Sequence, residues 1–306
     1  MNGLEAFLVT VIPAATPLLL AAVGELVVER AGVLNLGVEG MMATGAVCAF
    51  VVAHISGNPW LGVLAGALAG ALISTPFAAL TQKLAANQVA TGLALALFGL
   101  GVAGLIGEAY VGQPGVRLPA LNIPVLSALP FLGPVLFSHD VLVYASFVFT
   151  ALVSWFLFRT RAGLMLRAVG VNHDAAHALG HPVVRIRVFA ILFGGALAGL
   201  AGAHLSLAYT PQWVENMTAG RGWIALALVV FATWRPWRVL AGAYLFGTVW
   251  ILGLHLQAAG IGLPSQLLSA LPYLATVVAL VIISRNRVLT LTNTPASLGK
   301  PFVPER

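Results

Sequence analysis

Apolar residues run along this chain in long blocks, and the few polar positions divide them. A bilayer core about 30 Å thick takes roughly 20 helical residues to cross. Eight runs reach that length: 6–27, 33–55, 59–82, 89–107, 141–158, 188–208, 239–259 and 265–284. A ninth, WIALALVVFATW at 223–234, is short. It reads either as a half-helix whose other half is irregular or as a re-entrant segment. The runs do not alternate polar with apolar and are too long for barrel strands. The expected fold is an all-α polytopic membrane protein with about nine transmembrane segments. A single membrane domain covers 1–284, and a polar, proline-containing tail at 285–306 is expected to be partly disordered.

The second run breaks the pattern. Residues 24–45 read GELVVERAGVLNLGVEGMMATG, with Glu25, Glu29, Arg30, Asn35 and Glu39 threaded through apolar sequence. Ionisable groups at membrane depth are costly, so they are usually buried in protein or line a polar cavity. The stretch points to a pathway, not a tether.

Composition agrees. The chain is 60% hydrophobic and 8% charged, where soluble domains run near 45–50% and 25%. The net charge of +6 is dispersed among short loops, so it is a topology signal and gives no sign of nucleic-acid binding. Positive residues orient a bundle. With the 159–187 loop in the cytoplasm and nine crossings, all but Arg117 and Arg221 of the fifteen Lys and Arg residues fall inside, and the N-terminus lies outside. If 223–234 is re-entrant, Arg285 and Arg287 move outside. No Lys or Arg precedes Arg30, so the first run is expected to be retained and not cleaved. The single cysteine, Cys48, excludes an intrachain disulfide and reads as a small core residue.

Gly62, Gly66 and Gly70 recur every four residues, as do Gly195 and Gly199, which places small faces on two helices for close packing. Pro13, Pro17 and Pro76 are expected to kink their helices. The 108–140 loop carries Pro114, Pro119, Pro124, Pro130 and Pro134. It is expected on the outer face as short segments, either meeting an external partner or serving as a spacer.

The 159–187 loop reads RTRAGLMLRAVGVNHDAAHALGHPVVRIR. Residues 164–179 can form one short, small-faced helix that ends at Gly180 and Pro182. On physical grounds it is either a docking element for a cytoplasmic protein or a basic loop that sets topology. Arg167, Ala168, Gly170, Asn172, Ala175, Ala176 and Gly180 match R-A-x-G-x-N-x-x-A-A-x-x-x-G, and the loop resembles the coupling segment of permease subunits of ATP-binding-cassette importers. ERAGVLNLGVEGMM (29–42) and ENMTAGRGWIALA (215–227) resemble the nucleoside branch of that group, within the wider ribose and branched-chain amino-acid permease family. The resemblance implies a second permease subunit forming a heterodimer, a cytoplasmic ATPase docked on 164–180, and an external lipoprotein receptor. ATP and Mg would be bound by the ATPase; no cofactor is expected on this chain, which is read as a transport subunit and not an enzyme. The implied location is the bacterial inner membrane. NQVATGLAL at 87–95 departs from the branch, since Asn87 is uncharged where relatives often carry an acidic or different polar group.

A nucleoside needs neutral groups that donate and accept hydrogen bonds. Asn35, Asn87, Gln88 and Thr91 suit that task. Asn35 and Glu39, four apart, would share a helix face; each has a structural alternative, helix–helix bonding for Asn35 and pairing with Arg30 or capping a broken helix for Glu39. Glu215, Asn216, Thr218 and Arg221 precede the short helix, where Gly220 and Gly222 permit tight turns. They read as an outer gate with free N–H groups aimed at a cavity, or as a Glu215–Arg221 pair that orders the loop. His173, His177 and His181 have zinc-compatible spacing, but no second ligand cluster accompanies them, so solvated loop residues are expected and no metal. His204 and His255 are expected to be hydrogen-bonded within the bundle. Trp60, Trp155, Trp223, Trp234 and Trp237 are expected at interfaces. The chain has no phosphate-binding G-x-x-x-x-G-K-[ST] loop. A nucleoside is the expected cargo, with riboflavin, a sugar or another small solute as alternatives. An ion-coupled secondary transporter is the rival class, with Glu39 as its only candidate coupling group.

Overall fold

In lipid a backbone must satisfy its own hydrogen bonds, and the apolar runs do so as helices. The computed structural model describes residues 3–121, Ser127, 129–258, individual positions between 264 and 281, and 293–303. Eleven α-helices are defined among the described residues: α1 (Gly3–Arg30), α2 (Val38–Ser56), α3 (Pro59–Lys83), α4 (Gln88–Gly107), α5 (Leu132–Leu136), α6 (Val141–Arg159), α7 (Arg161–Val171), α8 (His173–Ala178), α9 (Val183–His204), α10 (Arg221–Phe231) and α11 (Pro236–Ala258). A π-helical turn, Leu205–Tyr209, prolongs α9. Seven of these helices are long and apolar enough to cross a membrane. The expected span at 265–284 lies mostly outside the described residues.

Helix α9 is the hub, packed against α1, α2 and α3. The glycine repeats make this possible. A Cβ at Gly70 would sit 2.7 Å from the Gly199 Cα, and one at Gly66 would sit 2.8 Å from the Ala203 Cβ. Helix α1 stays helical through Pro13 and Pro17, and α3 through Pro76.

Contacts sort the connections into two ends. At one end Arg30 meets Trp234 and Asn293, and Gln88 and Arg187 both meet Lys300. At the other, Phe7 stacks edge-on to His255, and Leu118 donates its N–H to the Leu207 carbonyl. The 108–140 loop lies at this second end as short pieces, Glu108–Tyr110, α5 and a bridge between Ala120 and Asp140; residues 122–126 and 128 are outside the described set.

The short ninth segment combines irregular chain with helix. After Tyr209 the chain descends without regular structure from the Phe50 level, Trp213 packing among Ala43, Ala46, Val47 and Ala103, to Glu39. Helix α10 follows, and past its end Trp234 meets Arg30. Eleven residues span about 16 Å, about half of a bilayer core. Helix α11 returns along α1, with Gly247 against Ala15.

The loop expected to form one helix at 164–179 instead forms two, α7 and α8. The break is at Asn172 (φ −150, ψ 99), whose side chain accepts from the Ala175 N–H. Part of the tail is also ordered. Residues 293–303 fold onto this loop, with Pro295, Ser297 and Phe302 buried. Partial disorder was expected for 285–306; of that tail, 285–292 and 304–306 lie outside the described residues.

Candidate functional site

Glu39, on the first turn of α2 and 3% exposed, is the centre of the broken-helix region. Its Oε1 accepts from Thr218 Oγ1 (2.6 Å) and Gly220 N–H (2.8 Å), and its Oε2 from Gly222 N–H (2.7 Å). The first N–H groups of a helix lack intrahelical partners and carry partial positive charge; here a carboxyl from another helix satisfies them. The expectation that these N–H groups face an open cavity is therefore corrected for Gly220 and Gly222. Pairing with Arg30 is also excluded, because Arg30 donates to the carbonyls of Trp234 and Asn293.

The glycines differ in purpose. Gly220 adopts φ +78, which L side chains rarely take,. Gly222 is helical, and a Cβ there would lie 2.6 Å from the Glu39 Cα. Left-handed backbone brackets α10, at Asn216 and Ala219 before it and at Thr233 and Trp234 after it. Non-glycine residues held this way are strained, a feature that clusters at switch regions.

Arg221, the first residue of α10, is half-buried. It donates to the Met217 carbonyl (3.0 Å), and its guanidinium lies over Tyr209 and Trp250 at 5.8 and 5.3 Å. It forms no ion pair with Glu215. Glu215 and Asn216 are exposed, with Glu215 beside Gly104 of α4.

The remaining pathway candidates gather at the Arg30 end. Asn35 precedes α2 and so does not share a helix face with Glu39. It is fully buried; its Oδ1 accepts from Gly37 N–H (3.0 Å), its Nδ2 meets Met41 Sδ (3.5 Å), and its own N–H donates to Glu25 Oε1 (3.3 Å). Gln88 is buried as well, accepting from Leu34 N–H and donating to the Lys300 carbonyl. Asn87 is exposed and caps α4 through the Ala90 N–H, and Thr91 is half-buried one turn on. The structure thus separates two sets: Glu39, Glu215, Asn216 and Arg221 around the irregular segment, and Asn35, Asn87, Gln88 and Thr91 nearer the loops.

The coupling residues also divide. Ala168, Asn172, Ala175 and Gly180 are exposed, and Arg167 lies half-buried over the Phe158 ring at 5.1 Å. Gly170 and Ala176 face inward. Gly170 is pressed against the Arg30 carbonyl, and Ala176 packs on Phe302. His173 is buried, not solvated. Its Nδ1 faces Arg187 Nη2 at 3.0 Å, and its ring and that of His177 each meet Phe302 at 5.3 Å. Burial, then the Arg187 charge, pushes the His173 pKa down. No group of three potential metal ligands occurs among the described residues.

Sequence reasoning overlooked several groups. Leu179 is 78% exposed at the tip of the loop. Trp234, expected at the interface, is buried, and its Nε1 donates to Glu29 Oε2 at 2.5 Å. Trp60, Trp155, Trp223 and Trp237 are exposed. Arg187 is fully buried with partners from three segments; it was read only as loop charge. At the opposite end a cavity of ≈ 830 Å³ is bordered by Arg117, Ser138, His139, Asp140, Tyr209 and Thr210, among others. Beside it Asp140 faces buried His204 at 3.3 Å and caps α6. Burial alone would raise the Asp140 pKa; His204 and the α6 amides hold it below the usual carboxylate range. His255 bonds to the Ile251 carbonyl. The long-range signal for all of these was at most a lone polar residue in an apolar run.

The described residues thus form a polytopic helical bundle with a short helix anchored on Glu39 and a two-helix loop between α6 and α9. The chain matches the family described as branched-chain amino acid transport system / permease component over residues 7–284, and it belongs to that family. It is 42% identical over 291 residues, 88% of each chain, to the putative glucose ABC transporter permease protein of Haloferax volcanii. It is 32% identical to the nucleoside ABC transporter permease protein of Lactococcus lactis, covering 92% of this chain and 93% of that one. It is 31% identical to the guanosine ABC transporter permease protein of Bacillus subtilis, covering 94% and 93%. No solved structure matches. The chain is therefore a multi-pass ABC transporter permease subunit, a transport component.

Proposed function

We propose that this chain forms half of the pathway of an importer for a small solute that carries sugar hydroxyls, a nucleoside first. The observation that carries the cargo is the full-length similarity to permeases named for nucleoside and guanosine. The 42% similarity to a permease named for glucose favours a second reading, a free sugar. Both solutes offer hydroxyl groups to neutral and charged acceptors such as exposed Glu215 and Asn216.

The partner is a second, related permease chain, and the pathway lies between the two. An ATPase subunit, which holds ATP and Mg, docks on the exposed side of α7 and α8 around Ala168, Ala175, Leu179 and Gly180. That end is the cytoplasmic one, since positive residues favour it, and both termini follow: N-terminus outside, tail inside. A lipoprotein receptor delivers solute at the Phe7 end. The segment 210–220 with α10 acts as the gate, because the segment is irregular, polar contacts to Glu39 tie it and the start of α10 to α2, and strained backbone brackets α10. Differential binding of ATP to two states of the ATPase supplies the drive.

Labelled uptake by the assembled complex decides the cargo. Guanosine and uridine should enter and compete with one another, and glucose should not compete. Uptake of glucose with no inhibition by nucleosides would replace the first reading with the second.

A further inference from the structure

The ordered tail touches every part that a coupling movement would have to connect. Phe302 fills a pocket of Val169, Ala176 and Val183 under the rings of His173 and His177. Ser297 donates its N–H to the Gly170 carbonyl (2.9 Å) and its hydroxyl to the Val171 carbonyl (3.2 Å). Gly299 donates its N–H to the Gly32 carbonyl (3.2 Å), in the turn between α1 and α2. The Lys300 carbonyl accepts from Arg187 Nη1 (3.2 Å) and Gln88 Nε2 (3.3 Å). Gln88 is the first residue of α4, and its other end holds Leu34 N–H (2.8 Å).

One short stretch thus ties α8, α7, the α1–α2 turn and the start of α4 together. By contrast, α8 has few contacts of its own with the membrane helices; it packs on α7 and α9. A push on α8 reaches α4 and the turn that leads to Asn35 and Glu39 through Phe302 and the Lys300 carbonyl.

We propose that residues 293–303 are a transmission strap: they carry movement of α8 to the α1–α2 turn and α4, with Phe302 as the positioning residue at the driven end. This rests on the reading of α7–α8 as the ATPase dock. The strap differs from a simple packing element because its contacts bridge the dock and the pathway helices.

The test is the ratio of solute imported to ATP hydrolysed, measured on the reconstituted complex for wild type, Phe302→Ala, Phe302→Tyr and a chain ending at residue 292. The expected result is a fall in that ratio of about tenfold, within the range over which coupled sites commonly act, for Phe302→Ala and the truncation. ATPase binding and hydrolysis should persist, and Phe302→Tyr should stay near wild type. An unchanged ratio overturns the proposal. So does a parallel loss of uptake and hydrolysis, or loss of the ATPase from the complex, since either makes the tail structural. Absence of ATP-driven uptake in the wild-type complex fails the importer reading itself and is seen before any variant is compared.

Discussion

Replacing Glu39 by Gln tests the anchoring of the half-helix. The wild-type carboxyl receives three donors and offers none, the pattern of an ionised acceptor. Hydrogen bonds to charged groups contribute about 1.5–3 kcal/mol each. The isosteric amide keeps one accepting oxygen, on which Thr218 and Gly220 can still bond. It turns the other oxygen into a donor facing the Gly222 N–H. One charge-assisted bond is lost, a buried donor is left unpaired, and the favourable charge at the α10 N-terminus disappears, worth about 0.3–1 kcal/mol. The expected local cost is about 2–3 kcal/mol. Hydrogen exchange in detergent or nanodiscs measures it: peptides covering 218–224 should lose protection by a factor of about 30 or more, taking 1.4 kcal/mol as tenfold. Peptides from α3 and α9 should be unchanged, because their contacts are glycine-mediated and distant. Unaltered protection at 218–224, or an equal loss across α3 and α9, would refute the view that Glu39 pins α10.

Gly70→Val should drive a side chain into Gly195 and Gly199 of α9 and cost about 1–3 kcal/mol by overpacking, seen as a lower melting temperature with poorer monodispersity. Arg187→Met leaves the buried Ala31 carbonyl without its donor and the Lys300 carbonyl with Gln88 alone and should cost about 1–3 kcal/mol; Arg187→Lys should recover less than half, since one ammonium cannot match the fork. Tail docking should depend on pH through His173, which faces Arg187, Asp174 and Lys300. Above about pH 6.5 the ring is neutral both docked and free, and the contact is intact. As pH falls below that value the free form takes a proton that the docked form resists, so docking weakens until the lowered docked pKa is passed. Protease sensitivity at 293–303 should rise over that interval and stay flat above pH 7.

The span pattern was legible because lipid leaves a chain few options: apolar runs near 20 residues had to become helices, and the glycine repeats had to meet other backbone. The split nature of 210–234 was visible only as an ambiguity, since an 11-residue helix signals a deficit without saying what fills it. Glu39 was recognisable as unusual, but its partners, Thr218 and Gly222, lie about 180 positions away in sequence. The coupling motif mixed outward and inward residues; Ala175 and Ala176 are adjacent, one exposed and one buried. The tail was read as polar chain. Phe302, in a short tail without apolar periodicity, carried no sign that α8 would offer it a pocket. Asn35 and Gln88 were legible as polar residues in apolar surroundings, and their backbone partners were not.

The central claim is that this chain is a conduit moved by a separate ATPase. Proteoliposomes carrying the two permease chains, the receptor and the ATPase, with ATP on the ATPase side, measure it most directly. Accumulation of labelled nucleoside should require both ATP and the ATPase subunit and should survive an ionophore that collapses proton and sodium gradients. Accumulation by the permease chains alone, driven by an imposed ion gradient and abolished by the ionophore, would contradict the account.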